Sequence, residues 1–171
     1  IAQDIDTDLM LQRFARLLRD NGGKVETNQA VQTIKKVAGD WEITTNQGQF
    51  TARKLINAAG AWGDEIAKMA SIPKIGLEPM RRSVARLAPP GGLDVKSWPM
   101  LFGPGERWYA KADAGALIVS LAEETASPPM DAWAHDIDLA EALARYQDYV
   151  TEPVTRPISS WAGLRTFAPD R

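Results

Sequence analysis

The sequence predicts a mixed chain, α/β to α+β, on three observations. First, the apolar pair Leu55-Ile56 runs into Asn57-Ala58-Ala59-Gly60-Ala61-Trp62 and a helix-like stretch through Met69, a pattern of strand, small-residue turn and helix. Second, Trp41-Glu42-Ile43-Thr44-Thr45 alternates and is rich in strand formers, and Asn46-Gln47-Gly48 turns the chain back behind it. Third, beyond Ile75 come longer extended runs, several turns and one helix, as in an antiparallel sheet. The expected division is residues 1–75, residues 76–155, and a final stretch, residues 156–171, that is set off by Pro153 and Pro157 and returns to the first body.

The elements follow in order. Met10, Phe14, Leu17 and Leu18 share one face at helical spacing, Asp6, Thr7 and Asp8 offer N-terminal caps, and Asn21-Gly22-Gly23 stops the helix. Val31, Thr33, Lys35 and Val37 alternate as in a strand, although Val31, Ile34 and Val37 also fit a helical turn. Gln49 to Ala52 pairs back on Trp41 to Thr45 as a hairpin, and Leu55 to Ala58 reads as a short buried strand. A helix spans Trp62 to Ala70, with Trp62, Ile66, Met69 and Ala70 on one face and Pro73 beyond its end. Gly76 to Leu87 is extended and is entered through Pro79. Arg107 to Lys111 and Ala116 to Leu121 are two strands joined across Asp113-Ala114-Gly115. The third helix runs from Asp138 to Tyr149 on a stripe of Leu139, Leu143 and Tyr146, and Ile158 to Gly163 is a last strand.

Composition narrows the chemistry. With 44 % hydrophobic residues among 171, the chain can build a real core. A net charge of −2 argues against a nucleic-acid surface; Arg81, Arg82 and Arg86, the nearest thing to a basic cluster, fit ordinary solvated surface, and Arg81 and Arg82, at the entry to the expected substrate domain, read as mostly structural. There is no cysteine, which excludes disulfides and thiolate metal sites and suits a reducing, cytoplasmic setting. The single histidine, His135, lies in a polar loop, so a metal site and a histidine-based triad are not expected. No apolar span of membrane length and no signal-peptide pattern is present. Trp41 and Trp62 are explained by packing on a strand and a helix.

Taken in order, several pieces resemble the flavin-dependent amine and amino-acid oxidases, the family of D-amino-acid oxidase, glycine oxidase and sarcosine oxidase. They are the helix closed by Gly22-Gly23, Val31, the Trp41 to Thr45 strand, Leu55 to Trp62, and Pro79-Met80-Arg81. Trp108-Tyr109-Ala110-Lys111 with Gly115 to Val119 resembles the family's active-site strand pair. Trp161-Ala162-Gly163-Leu164-Arg165 with Pro169-Asp170 resembles its C-terminal signature. The Ala-Ala-Gly-Ala-Trp and Ala-Gly-Leu-Arg pieces in this order are the more specific part.

The resemblance implies part of a Rossmann-like FAD-binding domain in residues 1–75 and an antiparallel-sheet substrate domain in residues 76–155. It also implies an internal slice of such an enzyme, because no Gly-x-Gly-x-x-Gly follows a strand, and weak FAD binding by the slice alone. Ala59 and Gly60 are expected to bring backbone close to FAD, with Trp62 beside them, and Val31 to meet the adenine side through its main chain. As bare residues, Ala59 and Gly60 also suit a tight strand-to-helix turn, and Val31 a core strand position.

Arg165 stands where glycine oxidase-like members hold the substrate carboxylate, and a guanidinium forks onto a carboxylate through two parallel hydrogen bonds. An interdomain or surface salt bridge is the alternative role. Tyr109 matches the active-site tyrosine, whose hydroxyl would donate to the same carboxylate while its ring walls the pocket. The implied reaction is hydride transfer from Cα of an amino acid or secondary amine to the flavin, giving an imine that water hydrolyses. No catalytic acid, base or nucleophile is expected among the side chains. The alternatives are a glycerol-phosphate or hydroxy-acid dehydrogenase of the same superfamily, and a non-catalytic module that has lost the flavin.

Overall fold

The chain folds as two compact units, Ile1–Leu55 and Ile56–Arg171, and the computed structural model describes residues 4–170. In the first unit, helix α1 (Thr7–Asp20) precedes a three-stranded antiparallel sheet of β1 (Val31–Val37), β2 (Asp40–Thr45) and β3 (Gln49–Ala52), ordered β1-β2-β3. The caps are those the sequence offers. Asp6 Oδ1 accepts the Leu9 N–H at 2.9 Å, and Gly22, at φ +79°, lets the Gly23 amide reach back to the Leu18 carbonyl at 2.9 Å. No residue of α1 is buried.

Val31 to Val37 resolves as a strand, because β2 supplies a ladder in which Ile34 faces Ile43 and is only 5 % exposed. The β2–β3 turn closes through Thr45, whose hydroxyl accepts the Gln47 and Gly48 amides at 3.2 and 3.1 Å.

The expected buried strand at Leu55 to Ala58 does not form. No described strand pairs with these residues, and Ile56 is 85 % exposed. An apolar run becomes a buried strand only where a neighbour satisfies its backbone N–H and C=O groups, and none does so here. The helix that follows is a single 3-10 turn, Gly60–Trp62, running into α2 (Gly63–Met69). Its buried face is Ala61, Gly63 and Ala67, whereas Trp62 and Met69 are exposed. At Gly63 that face lies against Leu77: a Cβ on Gly63 would come within 2.6 Å of Leu77 Cδ1.

The rest of this unit is a six-stranded antiparallel sheet with β4 (Glu78–Leu87) as its spine. Along one edge, β4 pairs with β9 (Ser159–Phe167) from Glu78↔Phe167 to Arg86↔Ser159. Along the other it pairs first with β8 (Thr125–Ala126) and then with β7 (Ala116–Ser120). Beyond β7 come β6 (Tyr109–Asp113) and the two-residue β5 (Leu101–Phe102). β9 runs four residues past the expected end at Gly163, because β4 continues to offer it a ladder.

Side chains bridge the break between β7 and β8. Ser120 Oγ donates to the Ser83 carbonyl at 2.7 Å and accepts the Ala122 amide at 3.2 Å, and Glu123 Oε1 accepts the Ser83 amide. Ser83 and Ser120 are buried, so these bonds replace the missing ladder at the middle of β4.

Helix α3 (Asp136–Gln147) packs on one face of the sheet. The core there joins Leu87, Trp108, Ala110, Leu117 and Val119 to Ala142 and Tyr146 of the helix, with Leu143 partly buried beside them. Tyr146 meets Trp108 edge-to-face at 5.2 Å, and burial pushes its phenol above the ordinary 10.0. Gly103 lies against the same indole, where a Cβ would come within 2.2 Å of Trp108 Nε1. The mixture of helices and antiparallel sheet expected from the sequence is the fold that forms.

Candidate functional site

One side chain, Asn57, ties the small-residue turn together. Asn57 Nδ2 donates to the Gly63 carbonyl at 2.8 Å, and its Oδ1 accepts the Ala59 amide at 3.2 Å, so one amide ties the start of the turn to the start of α2. Gly60 adopts φ +54°, a left-handed conformation that favours glycine, and a Cβ there would meet no heavy atom within 4 Å. Ala58 and Gly60 are exposed, Ala59 is half-buried and Trp62 is exposed. The backbone of this turn is therefore left uncovered. The turn also packs against β9, the strand that carries Arg165.

Asp64, in the first turn of α2, fixes the entry to β4. Its carboxylate accepts the Ile75, Gly76 and Leu77 amides, each at 3.0 Å. Desolvation pushes this carboxyl up, but the three amide bonds and nearby Lys74 outweigh it and hold the group below its ordinary 3.8. With the folded value below the unfolded one, the carboxylate stabilises the protein above the unfolded value. That contribution is lost as pH falls through the folded value. Asp64→Asn is expected to lower Tm near neutral pH, with the gap to the unsubstituted protein closing as the pH falls below the ordinary carboxylate value. A gap of constant size across that range would show that the charge contributes nothing.

The sheet orders the other candidates. Directly opposed residues in an antiparallel ladder point to the same face. From the registers, Tyr109 and Ser120, Lys111 and Ile118, and Arg86 and Ile118 share one face, and so do Val84 with Trp161, Arg82 with Gly163, and Met80 with Arg165. Tyr109 and Arg165 thus stand on one face, the one opposite α3. Their strands are separated by β7 and β4, so they lie three strand spacings apart, roughly 14 Å across the sheet at ~4.8 Å per strand, and Arg165 is also four residues along β9, roughly 13 Å, from Trp161, the residue in line with Tyr109. Met80, Val84, Ile118 and Ser120 form the buried floor between them. Phe102, 59 % exposed, pairs with Tyr109 across β5 and β6 with ring centroids 6.4 Å apart. Val31 lies half-buried on β1 in the first unit.

The four arginines of β4 and β9 divide clearly. Arg81 pairs with Asp138 of α3 at 2.9 Å and also donates toward His135 Nε2 at 3.0 Å. Arg82 reaches Glu124 at 3.6 Å and the Ala122 carbonyl at 3.3 Å, and Arg86 pairs with Asp113 at 3.4 Å. The structural reading of Arg81 and Arg82 made from the sequence agrees with these partners. Arg165 has no ion pair among the described residues. Its guanidinium lies 4.9 Å from the ring centroid of Phe167, one of its neighbours along β9. His135 is exposed, as expected of a polar loop. No group of three or more metal-ligating side chains is present among the described residues. Among those residues, too, no helix is long and apolar enough to cross a membrane.

Sequence reasoning missed Asn57 and Asp64 as positioning residues. An asparagine opening a turn of small residues and an aspartate in the first turn of a helix were the available signals.

The turn of the second unit leaves its backbone uncovered and packs on a strand whose Arg165 has no ion pair among the described residues, an arrangement with room for a flat ligand beside a cation. The comparisons give the family. The chain matches DAO, FAD dependent oxidoreductase, over residues 2–171 and belongs to that family. Among solved structures, it is similar to L-proline dehydrogenase from P. horikoshii, with TM-score 0.76 and 22 % identity over 94 % of this chain and 44 % of that one. Glycine oxidase from Geobacillus kaustophilus matches with TM-score 0.69 and 18 % identity over 87 % and 39 % of the two chains. L-alpha-glycerophosphate oxidase from Mycoplasma pneumoniae, solved with FAD bound, matches with TM-score 0.74 and 21 % identity over 92 % and 44 %. At these identities the likeness is one of fold, and the chain spans less than half the length of each of these proteins. The family's cofactor is FAD. The turn at Ala58 to Gly60 fits such a group, since it presents main chain without a covering side chain.

Proposed function

We propose that the chain serves an FAD-dependent oxidation of an amino acid or secondary amine. Residues 1–75 contribute to the FAD-binding part, residues 76–155 to the substrate part, and residues 156–171 return toward the cofactor. The observation that carries this reading is Arg165: on a face where Arg82 and Arg86 have carboxylate partners, it has none among the described residues. Its guanidinium is free to take a substrate carboxylate through two parallel hydrogen bonds, which fix the position of the adjacent Cα–H.

Tyr109 and Phe102 line up across the sheet with Trp161, four residues along β9 from Arg165, and we assign them the far wall of the substrate pocket. Ala59 and Gly60 present backbone to FAD, Trp62 lies beside it, and Val31 meets its adenine side through main chain. When bound, FAD supplies the acceptor for the hydride that leaves Cα. The chain's own residues bind, orient and exclude water, and none is assigned a proton transfer.

A second reading, oxidation of a glycerol phosphate or hydroxy acid, draws on the likeness to the glycerophosphate oxidase. An unpaired arginine would hold a phosphate equally well. The two separate when the flavin-loaded protein is mixed without oxygen with glycine, L-proline or glycerol 3-phosphate. Bleaching of the flavin absorbance by the amino acids is the expected result. Bleaching by glycerol 3-phosphate alone selects the second reading, and bleaching by none of a broad amine and hydroxy-acid panel leaves a non-catalytic module.

A further inference from the structure

Resting on the function proposed above, we propose that Gly163 is the floor of the substrate site. It is a position without a side chain, so that the carboxylate end of a small amine substrate lies directly on β9 between Arg165 and Trp161. A glycine inside a strand weakens it, so its presence calls for a reason. Two ordinary reasons are absent. Gly163 is not among the residues with positive φ, whereas Gly60, at φ +54°, is. A Cβ on Gly163 would meet no heavy atom within 4 Å, whereas one on Gly103 would come within 2.2 Å of the Trp108 ring, and one on Gly63 within 2.6 Å of Leu77. The remaining reason for a glycine in a strand is close approach by a group from outside the strand.

The surroundings say which group. Gly163 shares its face with Arg165 and Trp161, the residues two positions along β9 on either side, and Trp161 is 42 % exposed. Arg82, directly opposite, is turned toward the Ala122 and Glu123 carbonyls and the Glu124 carboxylate, and no atom of it comes within 4 Å of a Cβ on Gly163. The gap is therefore bounded by a cation with no carboxylate partner among the described residues and by an indole. An anion on the arginine has its body over the glycine and its apolar side against the ring. Gly163 thereby sets the size of substrate the carboxylate grip accepts.

The test compares Gly163→Ala, Gly163→Val and Arg165→Ala in the flavin-loaded protein that carries this chain. The readouts are Tm, FAD content, KM for glycine and L-proline, and Kd for acetate from the flavin absorbance. For Gly163→Val, Tm and FAD content are expected to hold or rise, while KM and Kd increase about tenfold or more. Gly163→Ala gives a smaller increase of the same kind. Unchanged KM and Kd in Gly163→Val, with large increases in Arg165→Ala, overturns the floor and leaves the function standing. A fall in Tm or FAD content in both glycine variants also overturns it, because protein packing then fills the gap. Unchanged binding in Arg165→Ala, or no response to any of the three compounds, overturns the proposed function and this inference with it.

Discussion

Replacing Arg165 with alanine is expected to raise KM for a carboxylate substrate by about 10² or more, with FAD content and Tm unchanged. Hydrogen bonds to charged groups contribute about 1.5–3 kcal/mol each, and a guanidinium makes two of them to one carboxylate. Even the lower sum, about 3 kcal/mol, corresponds to roughly a hundredfold. Stability holds because Arg165 is exposed, has no ion pair within the described residues and rests on the Phe167 ring. Arg165→Lys keeps the charge but loses the fork, so it falls between the two. The other arginines of the spine give the opposite pattern: Arg81→Ala removes the partner of a half-buried Asp138, so its effect is on Tm rather than KM. Steady-state kinetics beside thermal melts separate the two. A KM that stays within twofold in Arg165→Ala would remove this residue from the substrate site.

The largest stability effect is expected at Trp108. It is 5 % exposed, meets Tyr146 at 5.2 Å and Tyr149 at 5.8 Å, and lies on Gly103, so truncation opens a cavity that strands β6 and β7 cannot close. Trp108→Ala should destabilise by about 3–5 kcal/mol, read as the shift in urea midpoint. Trp108→Phe should lose much less. It keeps most of the ring volume and removes an indole N–H that has no acceptor among the described residues, a group that is expensive to bury. If the phenylalanine variant were as unstable as the alanine one, the cavity would not be the cause.

Elements whose causes are local were legible in the sequence. Asp6 and the Asn21 to Gly23 stop define α1, and Asn46 to Gly48 define the hairpin, because caps and turns depend on a few adjacent residues. The resemblance marked Tyr109 and Arg165, and the ladder puts both on one face. What was not legible depends on partners distant in sequence. Leu55-Ile56 has the composition of a buried strand but no strand to pair with among the described residues, so composition alone did not place it. Gly63 must stay without a side chain because Leu77 lies against it, and no helical pattern reveals that neighbour. Gly163 seemed to end a strand, whereas the ladder from β4 carries the strand through it. The polar bridge joining Ser83, Ser120 and Glu123 arises from register across two strands, and residue type alone could not announce it.

That bridge has a consequence for how the sheet tolerates change in chain length. β7 and β8 lie on the same edge of β4 but are keyed to it separately, Leu117 to Val119 against Leu87 to Ala85 and Thr125 to Ala126 against Arg81 to Met80. Between them, Ser120 and Glu123 use side chains where a continuous strand would use main chain. Side-chain tethers can absorb an added or deleted residue that a continuous ladder would convert into a slip of every following pair. The segment from 121 to 124 is thus an expansion joint: a residue added there is expected to leave the strands carrying Tyr109 and Arg165 in alignment.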